Sequence, residues 1–235
     1  MKIGKKIIAL FFAALFIIGV LYTGYDSFEA RAATEKKLSN KEKEYYKKII
    51  KSIKGSSYMY TAVIDGKKTE QFSSVYSMLY DLNGDGRKEF LLSGFVGIQG
   101  TTITYIVSYD GKKFRTNTVY GELYSVSKKG IIFLNSDKIS FGSGDKVYDD
   151  YDICTISKKG KLKKRLYSKI VKKYDYSGES IESEEYGSVN GKKTSVLTKK
   201  KFDQKMKKLK FSEGIKRMSF SWIDVNNANP DNVIK

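Results

Sequence analysis

The chain has 235 residues, with 44 lysines and arginines against 26 aspartates and glutamates, no histidine and one cysteine. Without histidine, the Ser-His and Cys-His nucleophile pairs and the zinc hydrolases with histidine ligands are excluded. A lone cysteine excludes an intramolecular disulfide, and the net charge of +18 directs attention to anionic partners.

In chain order the first feature is an export pattern. Lys2, Lys5 and Lys6 form a positive start, Ile7 to Leu21 is an apolar run of fifteen residues, and Ala30-Arg31-Ala32 places small residues at −3 and −1 of a cleavage bond. The expectation is a signal peptide over 1–32, cleavage before Ala33, and a protein that is secreted or associated with the cell envelope. The alternative is an uncleaved anchor, because Tyr22 to Tyr25 extends the run toward the roughly 20 residues that span a bilayer. Only then would the chain touch a membrane. Cys154 lies far from the signal, so no lipidated N-terminal cysteine arises, and cleavage leaves a net charge of +16.

Residues 33–38 read as a polar linker, and 39–235 as one domain, a length that buries a sizeable core. Ser39-Asn40-Lys41-Glu42 is a capping box, followed by Tyr45, Tyr46, Ile49, Ile50 and Ile53 on one helical face, with Gly55 suited to the C′ position. From Tyr58 to Val196 the period changes to two, predicting strands at 58–64, 70–80, 89–97, 101–109, 114–126, 131–135, 147–156, 162–170 and 183–189. Asp65-Gly66, Asp110-Gly111 and Asn190-Gly191 supply hairpin turns. Thr198 caps a second amphipathic helix that buries Phe202, Met206 and Leu209, Met218 to Val225 reads as a last strand, and Asn229-Pro230-Asp231 starts a helical turn. The expected fold is α+β: an antiparallel β meander with an N-terminal and a C-terminal helix packed on it.

The stretch that carries chemistry is Asp81-Leu82-Asn83-Gly84-Asp85-Gly86-Arg87-Lys88-Glu89. Oxygen side chains at positions 1, 3 and 5 (Asp81, Asn83, Asp85), the backbone carbonyl of Arg87 and the carboxylate of Glu89 form a hard-cation donor set, and Gly86 permits the sharp turn, so the expected ion is calcium. Leu92 occupies the twelfth position, where a helical EF-hand needs glutamate, and the flanks are strand-like, so the ion would clamp a β-hairpin at 75–97. The loop resembles the nine-residue calcium loops of integrin-type propellers and of FG-GAP or VCBS repeats. It occurs once here, so a propeller does not follow, and a metal-free polar turn is the alternative. The order of export signal, Tyr-rich helix, calcium-loop hairpin, lysine-rich meander and Lys-rich helix resembles a group of secreted proteins of gut clostridia, which implies export, calcium and architecture and carries over no activity.

Three functional readings follow. The first is an exported, non-catalytic, calcium-stabilised binding module. The second is a carbohydrate hydrolase using paired acids drawn from Asp145, Asp149, Asp150, Asp152, Glu182, Glu184 and Glu185. The third is a basic protein that binds an anionic cell-wall polymer or polysaccharide, with nine basic residues between Lys158 and Lys173 as its distinguishing cluster. The basic residues are mostly lysine, with five arginines in the chain. Such usage also follows from an AT-rich coding sequence on a tolerant surface. Lysine is a point charge without the arginine fork, so no specific nucleic-acid readout is expected. Cys154, in an alternating strand, is expected to be a buried structural thiol.

Overall fold

A computed structural model describes residues 36–56, 59–96, 101–139, 145–175, 178–211, 214–225 and 229–234. The expected signal peptide over 1–32 lies outside them. Among the described residues no helix is long and apolar enough to cross a membrane.

Helix α1 (Asn40–Lys51) starts as its sequence dictates: the Glu42 N–H donates to Ser39 Oγ at 3.3 Å, and the Ser39 N–H donates to Glu42 Oε2 at 2.8 Å. The helix ends at Ser52, whose N–H bonds to the carbonyls of Lys48, Ile49 and Ile50. Gly55 is therefore not its C′ residue. It lies in β1 (Lys54–Ser56), where a Cβ would fall 2.1 Å from the Met59 carbonyl oxygen, so close approach of two strands requires glycine there.

The strands that follow are β2 (Met59–Thr61), β3 (Val63–Ile64), β4 (Lys67–Lys68), β5 (Phe72–Tyr80), β6 (Glu89–Val96), β7 (Thr101–Tyr109) and β8 (Phe114–Tyr120). Then come β9 (Glu122–Val126), β10 (Ile131–Ile139), β11 (Asp145–Ile156), β12 (Leu162–Asp175), β13 (Gly178–Asn190) and β14 (Lys193–Val196). Helix α2 (Lys199–Lys208), strand β15 (Ile223–Asp224) and helix α3 (Pro230–Val233) close the chain. All pairings are antiparallel.

The α+β, antiparallel expectation holds, with one refinement. There are two large sheets, in the orders β1-β2-β5-β6-β7-β8, with β15 also on β5, and β14-β13-β12-β11-β10-β9. Alternation along each strand divides the apolar residues among three cores. Phe90 and Leu92 of β6 join Tyr46, Ile49 and Ile50 of α1, whereas Leu91 joins Ile106, Ile131, Phe133 and Cys154 between the sheets. Ile132, Ile153 and Leu166 of the second sheet pack with Phe202 and Met206 of α2. The layers thus run α1, first sheet, second sheet, α2, with one helix on each outer face.

The strand expected over 114–126 breaks at Gly121, where the chain passes from one sheet to the other. Its φ is +139°, a Cβ would lie 2.9 Å from the Leu134 carbonyl oxygen, and Thr104 Oγ1 donates to its carbonyl at 2.7 Å. The turn at 157–160 seals the far edge of the first sheet. Asn117 of β8 donates through Nδ2 to the Gly160 carbonyl at 2.7 Å and accepts the Leu162 N–H at 3.3 Å.

The C-terminal segment is extended, and β15 is all that remains of the last strand expected at 218–225. Phe220 and Trp222 lie half-buried against the middle core, and Val225, Val233 and Ile234 return to the core under α1, where Lys47 pairs with Asp231 at 2.5 Å.

Candidate metal centre

The loop between β5 and β6 is closed at its base by the pairing of Tyr80 with Glu89. Within it the side-chain oxygens turn inward and collect the loop's own N–H groups. Asp81 Oδ1 accepts from Gly84 at 2.7 Å and Asp85 at 3.3 Å, and Asp81 Oδ2 accepts from Gly86 at 2.9 Å. Asn83 Oδ1 accepts from Asp85, and Asp85 Oδ1 from Arg87, each at 2.9 Å. These side-chain turns, with Gly84 at φ +69° and Gly86 at φ +83°, are why the sequence folds into a ring here and not into a two-residue hairpin.

Glu89 ends the ring and is 3 % exposed. Its Oε2 accepts the Leu82 N–H and its Oε1 accepts Asn83 Nδ2, both at 2.7 Å. Burial pushes its carboxyl up to about 8, against the pull of the Leu82 hydrogen bond, and the negative charges of Asp81 and Asp85 push the same way. Among the described residues no group of three His, Cys, Asp or Glu side chains is drawn together as a metal cage. The donor set still fits a hard cation: Asp81, Asn83, Asp85, the Arg87 carbonyl and Glu89 offer oxygen alone, on a ring whose buried carboxylate stands near two others of the same sign.

Lys36, just before α1, and Glu42 and Tyr46 on it hold the hairpin in place, and the local sequence pattern gave no sign of these contacts. The Lys36 N–H donates to the Gly86 carbonyl and Lys36 Nζ to the Asp85 carbonyl, both at 2.7 Å. The Arg87 guanidinium stands 3.5 Å from Glu42 Oε1, which is an ion pair without a hydrogen bond, and also lies over the Tyr109 ring. Glu42 is 1 % exposed, so the side chain that caps α1 is also the loop's buried counter-ion. Tyr46 stacks on Phe90 directly after Glu89, with ring centroids 5.1 Å apart.

Four of the seven acids considered for hydrolysis, Asp149, Asp152, Glu182 and Glu184, serve as lysine partners, and Asp150 stands opposite Lys169 in the register. Asp149 accepts from Ser136 at 2.6 Å and pairs with Lys172 at 3.2 Å; Lys172 also reaches Glu179 at 3.2 Å. Glu182 pairs with Lys146, Glu184 with Lys199 and Asp152 with Lys164, while Glu185 accepts from the Tyr167 hydroxyl. The Asp145 side chain lies outside the described ones. Of the basic run at 158–173, Lys158, Lys159 and Lys161 lie in the turn before β12, and the other six lie on β12 between two acidic strands. β11 carries four aspartates and one lysine, β12 six basic residues and one aspartate, and β13 four glutamates. These three strands together are net negative. Cys154 is 2 % exposed, and burial pushes its thiol up to about 12, leaving it a poor nucleophile at neutral pH. Comparison with known proteins gives no match to a family model, a curated protein or a solved structure.

Proposed function

We propose that the chain is an exported, non-catalytic β-rich module, working outside the cytoplasm or at the cell envelope as a binding domain, with a calcium ion as structural clamp at 81–89. The observation that carries this reading is the closed ring on Glu89, a buried carboxylate next to Asp81 and Asp85. Bound calcium would offset the like charges of Asp81, Asp85 and Glu89. Asp81, Asn83, Asp85, the Arg87 carbonyl and Glu89 would hold it, and the chemistry supplied is electrostatic, with no bond made or broken. Through Arg87 and Lys36 a filled loop would also firm the seat of α1 on the first sheet.

Thermal melting in chelator and in calcium tests the reading. A ligand bound only by the folded state raises the melting temperature by mass action, and loops of this kind outside cells bind at about 0.1 to 1 mM. Calcium in the millimolar range should raise the melting temperature of the wild type and leave Asp81→Ala and Asp85→Ala unmoved. Superimposable wild-type curves in chelator and in calcium would dismiss the ion.

A further inference from the structure

We infer that the outer face of α2 is a docking surface for a linear polyanion, a polymer of closely spaced negative charges such as a polyphosphate chain. This goes beyond the calcium reading and does not depend on it. Lysine abundance alone carries no such weight, because β12 runs between two acidic strands, where Lys164 pairs with Asp152, Lys172 with Asp149 and Glu179, and Lys169 stands between Asp150 and Glu185. The helix is different. Its buried residues are Phe202 and Met206. At 100° per residue, Lys200, Lys201, Lys205, Lys207 and Lys208 fall on the opposite arc of about 160°, broken only by Gln204. All five are exposed, and among the described residues none of them is in an ion pair; Lys199, beside Glu184, is the helix's paired lysine.

Local energetics favour only part of this arrangement: Lys205, Lys207 and Lys208 stand in the last turn, where the dipole favours cations, and the first turn runs the other way. The first turn holds three lysines and no acid, although the positive end of the helix dipole favours carboxylates there. Lys201 and Lys205 stand one turn apart, as do Lys205 and Lys208, and like charges at such spacings destabilise a helix. Lys200 and Lys201, unpaired in the first turn among the described residues, and a like-charged row on the solvent side of a well-packed helix motivate a role other than stability. Lys201, Lys205 and Lys208 form a row along the axis with steps of about 5–6 Å. That row suits an extended chain of charges better than a single ion. With no arginine on the helix, the contact is of point charges and selects charge density over base or sugar identity.

The test compares two variants that remove the same charge. Long-chain inorganic polyphosphate is the probe, with binding followed by titration in about 50 to 200 mM salt. Lys201→Gln/Lys205→Gln/Lys208→Gln should weaken binding at least about tenfold and lower the slope of log affinity against log salt by about 2. Lys163→Gln/Lys169→Gln/Lys173→Gln, on β12, should change the affinity by less than about twofold at the same net charge. Both should melt no lower than the wild type, and chelator should alter neither affinity, which separates this outcome from failure of the calcium reading. Equal losses in the two variants would show a diffuse charge effect and overturn the proposal. So would absence of wild-type binding at the lower salt, or binding confined to vesicles of anionic phospholipid.

Discussion

Metal-free protein should lose stability as the pH rises from 5 to 8, and Glu89 should account for nearly all of the loss. The unfolded carboxyl releases its proton near 4.5, whereas the folded one holds it to about 8. Below 4.5 both states are protonated and the full stability is present. Between the two values the folded state binds the extra proton, so each pH unit removes about 1.4 kcal/mol. Above 8 the curve flattens, the total loss being on the order of 5 kcal/mol. The chain contains no histidine to blur this window. Glu89→Gln cannot ionise, but its amide can accept from Leu82 or Asn83 and not from both, a cost of about 1 kcal/mol. In chelator the variant should therefore be slightly less stable than wild type at pH 5 and more stable, by on the order of 4 kcal/mol, at pH 9. Urea unfolding followed by the fluorescence of Trp222 measures both. A wild-type stability that is level from pH 5 to 9, or a variant displaced equally at both ends, would refute the assignment.

Gly160 has φ +69°, and a Cβ there would lie 2.5 Å from Ser108 Cβ; Gly160→Ala should cost about 1–3 kcal/mol in urea unfolding, and an unchanged midpoint would show that the 157–160 turn does not bear on the first sheet. The Cys154 thiol should resist an aromatic disulfide reagent at pH 8 and react on addition of urea, because burial pushes it up to about 12; rapid labelling of the folded protein would contradict its burial. Sequencing of exported protein should begin at Ala33, and Ala32→Asp should leave precursor at the membrane; intact protein beginning at Met1 and recovered from the cytoplasm would dismiss export.

Features written in short-range chemistry were readable. The capping box of α1 formed, and the alternation of β5, β6 and β7 gave strands within one or two residues of those expected. The ring at 81–89 follows from oxygen and glycine spacing alone. The division into two sheets was hidden, because a strand that changes sheets at Gly121 keeps its alternation on both sides. The length of β12 and β13 was hidden for another reason. Their outer halves are charged and look like loop, and only the register reveals that Lys169 stands between Asp150 and Glu185. Lys36, 49 residues before Asp85, touches the loop through tertiary approach, and no spacing rule anticipates it.

The first layer holds the first and last described residues: Lys36 meets the loop beside α1, and Val233 and Ile234 pack in the core beneath that helix. The second sheet and α2 are in effect a long excursion out of that layer and back. An attachment made at Lys36 or at Ile234 therefore grips the same side of this layered unit. With three layer spacings of about 10 Å each, α2 would stand roughly 30 Å from the point of attachment. On a molecule held at either of those residues, that helix stands on the far face, free to meet what lies beyond the surface.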